Sequence, residues 1–427
     1  MALLKTALGC HGVLALLMLA AVPACAGTEG TEAGAVAGDA SVIDSAGVRV
    51  VESTGAQAES VLTWAVDPVP FLQIGEEDGD PALLFTSIMS VAAQSGTIAV
   101  ADQRTRDVRL FTMEGVPSGR VQQLEPSGPG GLVFPRIFPD SVSGGFLLVD
   151  AVASVGGFVD ASGRVDRVFR WGTGGTAFQR LQPVAWSGRR LVLVSRHEEG
   201  ALEAQRSEGT SEEITRWAHL APGDSVLVAW DRETRVPIHY VPQGRHGAAA
   251  SPRMIGIRTP LTQSVHLTAR DGHIYKTTRN GTEILLLDDQ GEEVARYRIG
   301  GGEQSVSASD IEGEARAFAG RVLSSAEEIE AYVQQALAVP PAEVLPRFST
   351  LLAGPNGEVW ARTVVSGTGT GTEWTVFDET GVARGRVGIP QGVTLFQVDE
   401  DWILGTVHDG IGVPRVVLHS LHRSPEP

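Results

Sequence analysis

A unit of alternating strands bracketed by glycines recurs along the chain, and it limits the fold more than any other feature. Gly96 leads through Ile98 and Val100 to Asp102, and Val108, Leu110 and Phe111 then lead to Gly115. Gly144 leads through Phe146 and Leu148 to Asp150, then through Phe158, Val159 and Asp160 to Gly163. Gly272 leads through Ile274 to Thr278, then through Leu285, Leu287 and Asp288 to Gly291. The glycine-to-glycine step is 19 residues in all three. A fourth copy runs from Gly357 through Val359, Ala361, Trp374, Val376, Phe377 and Asp378 to Gly381, its 24-residue step lengthened by a loop from Ser366 to Gly371.

Alternation with period two predicts strands with one face buried, or both where polar members are few. The Asp-x-x-Gly steps at 160–163, 288–291 and 378–381 predict type I turns whose last residue needs a positive φ, which glycine adopts without strain. Two weaker copies complete the set. One begins at Gly188–Val194, with outer strands expected at Ile214–Ala218 and Val226–Trp230; the other begins at Asp401–Gly405 and continues through Val413–Leu421. Six units at a period of about 45 residues mean a propeller or a solenoid. Four short antiparallel strands per unit, with no helix in the repeat, select the propeller. The last unit is one strand short, while Val48–Glu52 and Val61–Ile74 precede the first unit and belong to none. A strand from this leading region is expected to complete the last blade and remove its exposed edge.

One segment breaks the pattern. Ser309-x-x-Glu312 and Ser325-x-x-Glu328 read as capping boxes, and Ile329, Tyr332, Val333, Ala336 and Leu337 then share one helical face before Pro340-Pro341. The expected fold is therefore all-β: a six-bladed β-propeller over 43–423, with a short two-helix insertion (303–346) between blades four and five. Its apolar face is expected to cover a rim or side of the propeller.

The first 24 residues read as a signal peptide. Lys5 is the only charge before an apolar run from Val13 to Val22, too short to span a bilayer. Val22-Pro23-Ala24-Cys25 resembles the lipobox of bacterial lipoproteins, with proline at −2 as a departure. That resemblance implies cleavage before Cys25, lipid attachment there, and, with Ala26 following, an outer-membrane destination. Ala24-Cys25-Ala26 also fits plain secretion into the periplasm or beyond. Residues 25–42, small and acidic, read as a flexible tether. Cys10 and Cys25 are the only cysteines, so no disulfide staples the folded part. The formal charge of −17 argues against a nucleic-acid partner and against docking on anionic lipid through a protein surface.

The chain resembles the six-bladed (NHL-like) β-propeller lipoproteins of the bacterial envelope. The residues that carry the resemblance are Asp44–Glu52, Gly79-Asp80-Pro81, Ser127–Gly131, Phe348-Ser349-x-Leu351-Leu352 before Gly357–Trp360, and Trp374-x-Val376-Phe377-Asp378. It implies architecture and envelope location and brings no catalytic residue.

Candidate site residues are few. Asp102 and Asp150 occupy matching strand ends, with Ser195 and Thr278 expected at the same place in other units. As a ring of carboxylates at the channel mouth they would hold Ca²⁺, as in lactonase-type propellers; as turn caps they would hold backbone. His197, His219, His239, His246, His266, His273 and His408 show no H-x-x-x-H or H-E-x-x-H spacing, but His266 and His273 lie seven apart across an expected hairpin and would form a metal pair if they converged. There is no G-x-S-x-G elbow, and Gly300-Gly301-Gly302 lacks a phosphate-loop lysine. Trp186, Trp217, Trp230, Trp360, Trp374 and Trp402 suit blade cores better than sugar platforms. The function expected is a binding or scaffold module at the envelope for a peptide, glycan or protein, with no catalytic residue or cofactor. The alternative is a metal-dependent lactonase- or lyase-like hydrolase using the central channel. A quinone-cofactor dehydrogenase would need a basic pocket lined by His and Arg, which no segment of the sequence announces.

Overall fold

The computed structural model describes residues 40–423, except 126–130, 172–180, 202, 204, 206–209, 223–227, 244–252, 263–264, 324 and 366–368. The leader, Cys25, most of the tether, His246 and the side chain of Trp230 lie outside the described residues.

The first elements described are strands β1 (Ser41–Ser45) and β2 (Val48–Ser53), helix α1 (Gly55–Glu59), and two short strands, β3 (Ala65–Val66) and β4 (Leu72–Ile74). Blade one is β5 (Ile88–Gln94), β6 (Thr97–Asp102), β7 (Asp107–Thr112) and β8 (Pro117–Val121). Blade two is β9 (Pro135–Asp140), β10 (Gly145–Asp150), β11 (Val155–Val159) and β12 (Val165–Arg170). Blade three has five strands: β13 (Gln182–Trp186), β14 (Leu191–Glu199), β15 (Thr210–Leu220), β16 (Val228–Gln243) and β17 (Arg253–Arg258). Blade four is β18 (Leu267–Arg270), β19 (His273–Thr277), β20 (Glu283–Leu287) and β21 (Glu293–Ile299). Helices α2 (Ala308–Val322) and α3 (Ala326–Leu337) follow. Blade five is β22 (Phe348–Ala353), β23 (Val359–Val365), β24 (Gly369–Phe377) and β25 (Ala383–Gly388); blade six starts with β26 (Thr394–Val398), β27 (Trp402–His408) and β28 (Pro414–His422).

Six hydrophobic cores lie between successive blades, and they explain why the second strands are buried on both faces. In β6, Ile98 and Val100 enter the core shared with blade six, whereas Ala99 and Ala101 enter the core shared with blade two. In β10, Phe146 and Leu148 face blade one while Leu147 and Val149 face blade three. The period of two therefore distributes side chains between neighbours. The first strand of each blade touches the first strand of the next, β5 to β9, β13, β18, β22, β26 and back to β5, so the ring closes.

The expected closure is present. Strand β4 pairs antiparallel with β28, Ile74 opposite Val416 and Leu72 opposite Leu418, and β3 pairs with the end of the same strand. Ile74 is buried in the core between blades six and one. Across this seam the Gln397 side chain makes two bonds to Ala93, accepting from its N–H at 2.8 Å and donating to its carbonyl at 2.9 Å. The other leading segment goes elsewhere: β2 pairs in parallel with β21, so the β1–β2 hairpin widens blade four at its outer edge. The sheet thus begins at Ser41, inside the segment read as tether.

The Asp-x-x-Gly turns form as expected. Asp160, Asp288 and Asp378 each accept from two backbone N–H groups of their turn, and Gly163, Gly291 and Gly381 have φ of 83, 86 and 86°. Blade one uses Thr112 in the aspartate's place before Gly115. At Gly381 an added Cβ would sit 2.2 Å from the Tyr297 ring, while at Gly272, also at positive φ, it would meet nothing within 4 Å. Gly381→Ala is expected to cost about 3 kcal/mol in chemical unfolding, and Gly272→Ala about 1.

Three expectations shift. Helix α2 is capped by Ser307, not Ser309: Ser307 accepts from Asp310 N–H and the Asp310 carboxylate accepts from Ser307 N–H, so a shorter acid at the third position completes the box two residues earlier. Ser325 caps α3 as read, accepting from Glu328 N–H, but the Glu328 carboxylate accepts from the Ser325 hydroxyl and not from its backbone N–H, so the box is half made. In blade five, Gly369–Gly371 belong to β24, so the long step there extends a hairpin.

Candidate functional site

All six first strands start at one mouth of the channel and end at the other. We term these the entry and exit mouths. Three departures from a plain blade gather at the entry mouth; the β1–β2 hairpin, a fourth, lies at the outer edge of blade four. Beyond Val194, which faces Gln182, β14 continues to Glu199 with β15, β16 and β17 stacked outside it, an overhang from blade three. Helices α2 and α3 fill the connection from the end of β21 to the start of β22, and they pack Ile311, Ala315, Val333 and Ala336 against Ile257 of the overhang and Leu345. The β23–β24 hairpin also extends past Phe348, the first residue of its inner neighbour, and Val364 joins the same core.

Below this rim lies a cavity of about 360 Å³ formed by the channel itself, with residues from all six first strands along its wall. Its lining is mixed, with Val184, Trp186, Leu267, Leu351 and Phe396 among the apolar residues. Its titratable lining residues are Arg136, Arg196, His266, Arg270 and Asp271. Arg136 is the second residue of β9 and His266 immediately precedes β18, so both stand at the entry mouth; Arg196 reaches it from the overhanging part of β14. Arg136 donates to the Met89 carbonyl at 2.9 Å, and burial lowers its guanidinium from the usual value. Arg196 is lowered first by burial and then, against the pull of Glu213, by Arg258. At the exit mouth Arg270 bonds the Val398 carbonyl and Asp399, and Ser141 donates to Asp271 at 2.5 Å. The basic pocket that no sequence segment announces is therefore present, assembled from three blades.

The residues read as candidate ligands do other work. Asp102 accepts from the N–H groups of Thr86 and Arg104 at 2.8 and 2.9 Å, with Thr105 N–H at 3.4 Å. Asp150 accepts from Val133, Val152 and Ala153 N–H at 2.7, 3.0 and 3.2 Å. Neither lines the cavity. Both tie the loop entering their blade to the end of its second strand. The equivalent residues elsewhere are Ser195, Thr277, Thr363 and Thr406, all buried like the two aspartates. Blade four uses Thr277, one residue before the Thr278 expected, and its hydroxyl accepts from His266 N–H at 3.0 Å. In both aspartates the carboxylate holds backbone N–H groups of the surrounding loops.

His266 and His273 do not converge. Arg270 faces His273 beside the turn, whereas His266 faces Thr277 at the other end of the hairpin, about 13 Å along the strand. His273 stacks on Tyr275. Among the described residues no group of three His, Cys, Asp or Glu side chains is placed to hold a metal. Of the tryptophans, Trp186, Trp217, Trp360 and Trp374 are buried in blade cores and Trp402 is half-buried against one.

His266 has its pKa lowered to about 4, first by burial and then by Arg196 and Arg258. Its folded value lies below its unfolded value, so the stability it contributes is complete above pH 6.5, falls as pH drops below that, and is gone below pH 4. The loss is expected to be on the order of 3 kcal/mol. Urea unfolding of the parent and His266→Gln across pH 4–7 checks this: the variant should show the shallower dependence.

No family model and no curated protein sequence matches this chain. Solved structures do. A member of the DUF4221 family from Bacteroides vulgatus is 11% identical over 86% of this chain and 99% of its own, with a TM-score of 0.46. A protein of Bacteroides fragilis described as exported is 9% identical over 88% and 98%, with a TM-score of 0.44. A virginiamycin B lyase from Staphylococcus aureus is 8% identical over 84% and 99%, with a TM-score of 0.39. The likeness is one of fold. The six-bladed assignment itself stands on the sheet order and ring closure described above.

Proposed function

We propose that the protein is an exported, lipid-anchored β-propeller that binds a ligand at the cell envelope, with the entry mouth of the channel as its binding site. The observation that carries this reading is the gathering of the blade-three overhang, the helix pair and the extended hairpin around one mouth. None of the six cores between blades draws on the helix pair, whereas a recessed, walled cavity is what ligand recognition needs. The cavity of about 360 Å³ is of ligand size. The leader, the Val22–Cys25 lipobox-like stretch and the resemblance to NHL-like envelope lipoproteins support the location. The metal-dependent hydrolase reading is weaker, because Asp102 and Asp150 are committed to backbone amides and His266 and His273 stand at opposite hairpin ends.

Two measurements test the proposal. In a bacterial host with an outer membrane, the parent chain should fractionate with membranes and Cys25→Ser should be released; a soluble parent would remove the anchor. Purified protein should leave a panel of lactones and esters intact with or without divalent ions, and metal-dependent turnover would replace binding by catalysis.

A further inference from the structure

We propose that the entry mouth is an oxyanion-binding site that takes a small organic carboxylate or phosphate, held by Arg136 and Arg196. This deepens, and rests on, the reading of the channel as a ligand site. The chain carries 51 acidic against 34 basic residues, yet two guanidinium groups, Arg136 and Arg196, line one end of a single cavity beside a neutral His266. A patch of the minority sign, concentrated in a concave site of an acidic protein, attracts anions that the rest of the surface repels.

The carboxylates of the overhang offset it only in part: Glu213 acts on Arg196, but its ion pair is with another guanidinium. Glu213 is paired with Arg258 at 2.9 Å, and Glu198 accepts from the Tyr240 hydroxyl at 2.6 Å and from Ser211. Arg136 spends one N–H of Nη1 on the Met89 carbonyl, which leaves the rest of its planar fork for a ligand. Guanidinium groups match the two-oxygen edge of a carboxylate or phosphate, and here one is half-buried (Arg136) and the other exposed at the rim (Arg196). Arginine is also the cation that tolerates such a site best, being weakly hydrated and always charged.

The exit mouth differs, since Arg270 there is satisfied by Asp399 and the Val398 carbonyl. The channel is thus polarised, with its uncommitted positive charge at the decorated end. Val184, Leu267, Leu351 and Phe396 offer an apolar wall. The preferred ligand is consequently an anion with an apolar or ring-shaped body, and bare inorganic phosphate should bind more weakly.

The test uses the purified mature chain and titrates benzoate, citrate, phenyl phosphate, inorganic phosphate and uncharged benzamide at matched ionic strength, read by calorimetry and melting temperature. At least one organic anion should bind and raise the melting temperature, with benzamide inert. Arg196→Gln should weaken that binding about tenfold or more, and Arg136→Gln should do the same in a second background. Arg164→Gln, an exposed charge paired with Asp160, controls for net charge and should leave affinity unchanged. Preference for phenyl phosphate over benzoate and citrate would assign the phosphate class, and the reverse the carboxylate class. No binding by any anion, or binding equal in parent and Arg196→Gln, overturns the oxyanion assignment. In the latter case a neutral glycan or peptide bound at this mouth would leave the binding reading standing, whereas metal-dependent turnover of the ester panel would remove both.

Discussion

A chain starting at Gly75, and so lacking β3 and β4 together with the β1–β2 hairpin and α1, is expected to lose its cooperative thermal transition and aggregate. The seam between blades six and one is held by the β4–β28 pairing, by the Gln397 bridge to Ala93, and by the core containing Ile74, Phe85, Val91, Leu404 and Val416. Without β4 the backbone of β28 becomes an open edge and that core loses one wall. The point substitution Ile74→Asp isolates the effect, placing an unpaired carboxylate where the side chain is 2% exposed. It should cost about 4 kcal/mol in urea unfolding, against about 2 for Gln397→Ala, which removes only the side-chain bridge. Equal midpoints for parent and Ile74→Asp would mean that the ring is held shut by something other than this seam.

Replacing Asp102 or Asp150 by alanine should cost about 4 kcal/mol each, because each buried carboxylate makes two or three charge-assisted bonds to backbone N–H groups that the variant loses. Asp102→Asn should lose about half as much, since one amide oxygen can still accept while the NH₂ now faces a donor. The same experiment run with Ca²⁺ and with a chelator separates the two roles open to these residues. The midpoint of the parent should not move with the ion. A rise seen in the parent and absent in Asp102→Ala would return these carboxylates to metal binding.

The fold was legible because its information is local. Each hairpin carries its own alternation, its own Asp-x-x-Gly turn and its own glycine of positive φ, so reading Gly144 to Gly163 needs no knowledge of other blades. Thr112 and the turn from Asp409 to Gly412 escaped notice for the opposite reasons: the first uses a hydroxyl in the aspartate's place, and the second lies in a blade whose repeat is weak. Blade three was legible only in outline. Charged residues in TSEEITRWAHL hide an eleven-residue strand whose outer half stands clear of the ring.

The site was not legible, because it exists only once the ring is closed. Arg136 follows Pro135 in a short strand, Arg196 ends a run of leucine and valine, and His266 sits in a connecting loop; nothing in their spacing relates them. Their common cavity depends on which residues of three separate first and second strands turn toward the axis. The two aspartates misled in the other direction. Their matching strand-end positions were real, but a ring position can serve the loops around it as readily as the space within it.

The hairpin at the edge of blade four has a mechanical meaning. Tension drawn through the N-terminus would enter at Ser41, at the open end of the β1–β2 ladder, and part it one pair at a time from Ser41–Glu52 to Ser45–Val48. Only then would β2 peel from β21, and only after α1 would the load reach β3 and β4. The hairpin is thus expected to act as a fuse: pulled from its N-terminal side, it would yield several nanometres of slack before the fastening of the wheel feels any strain.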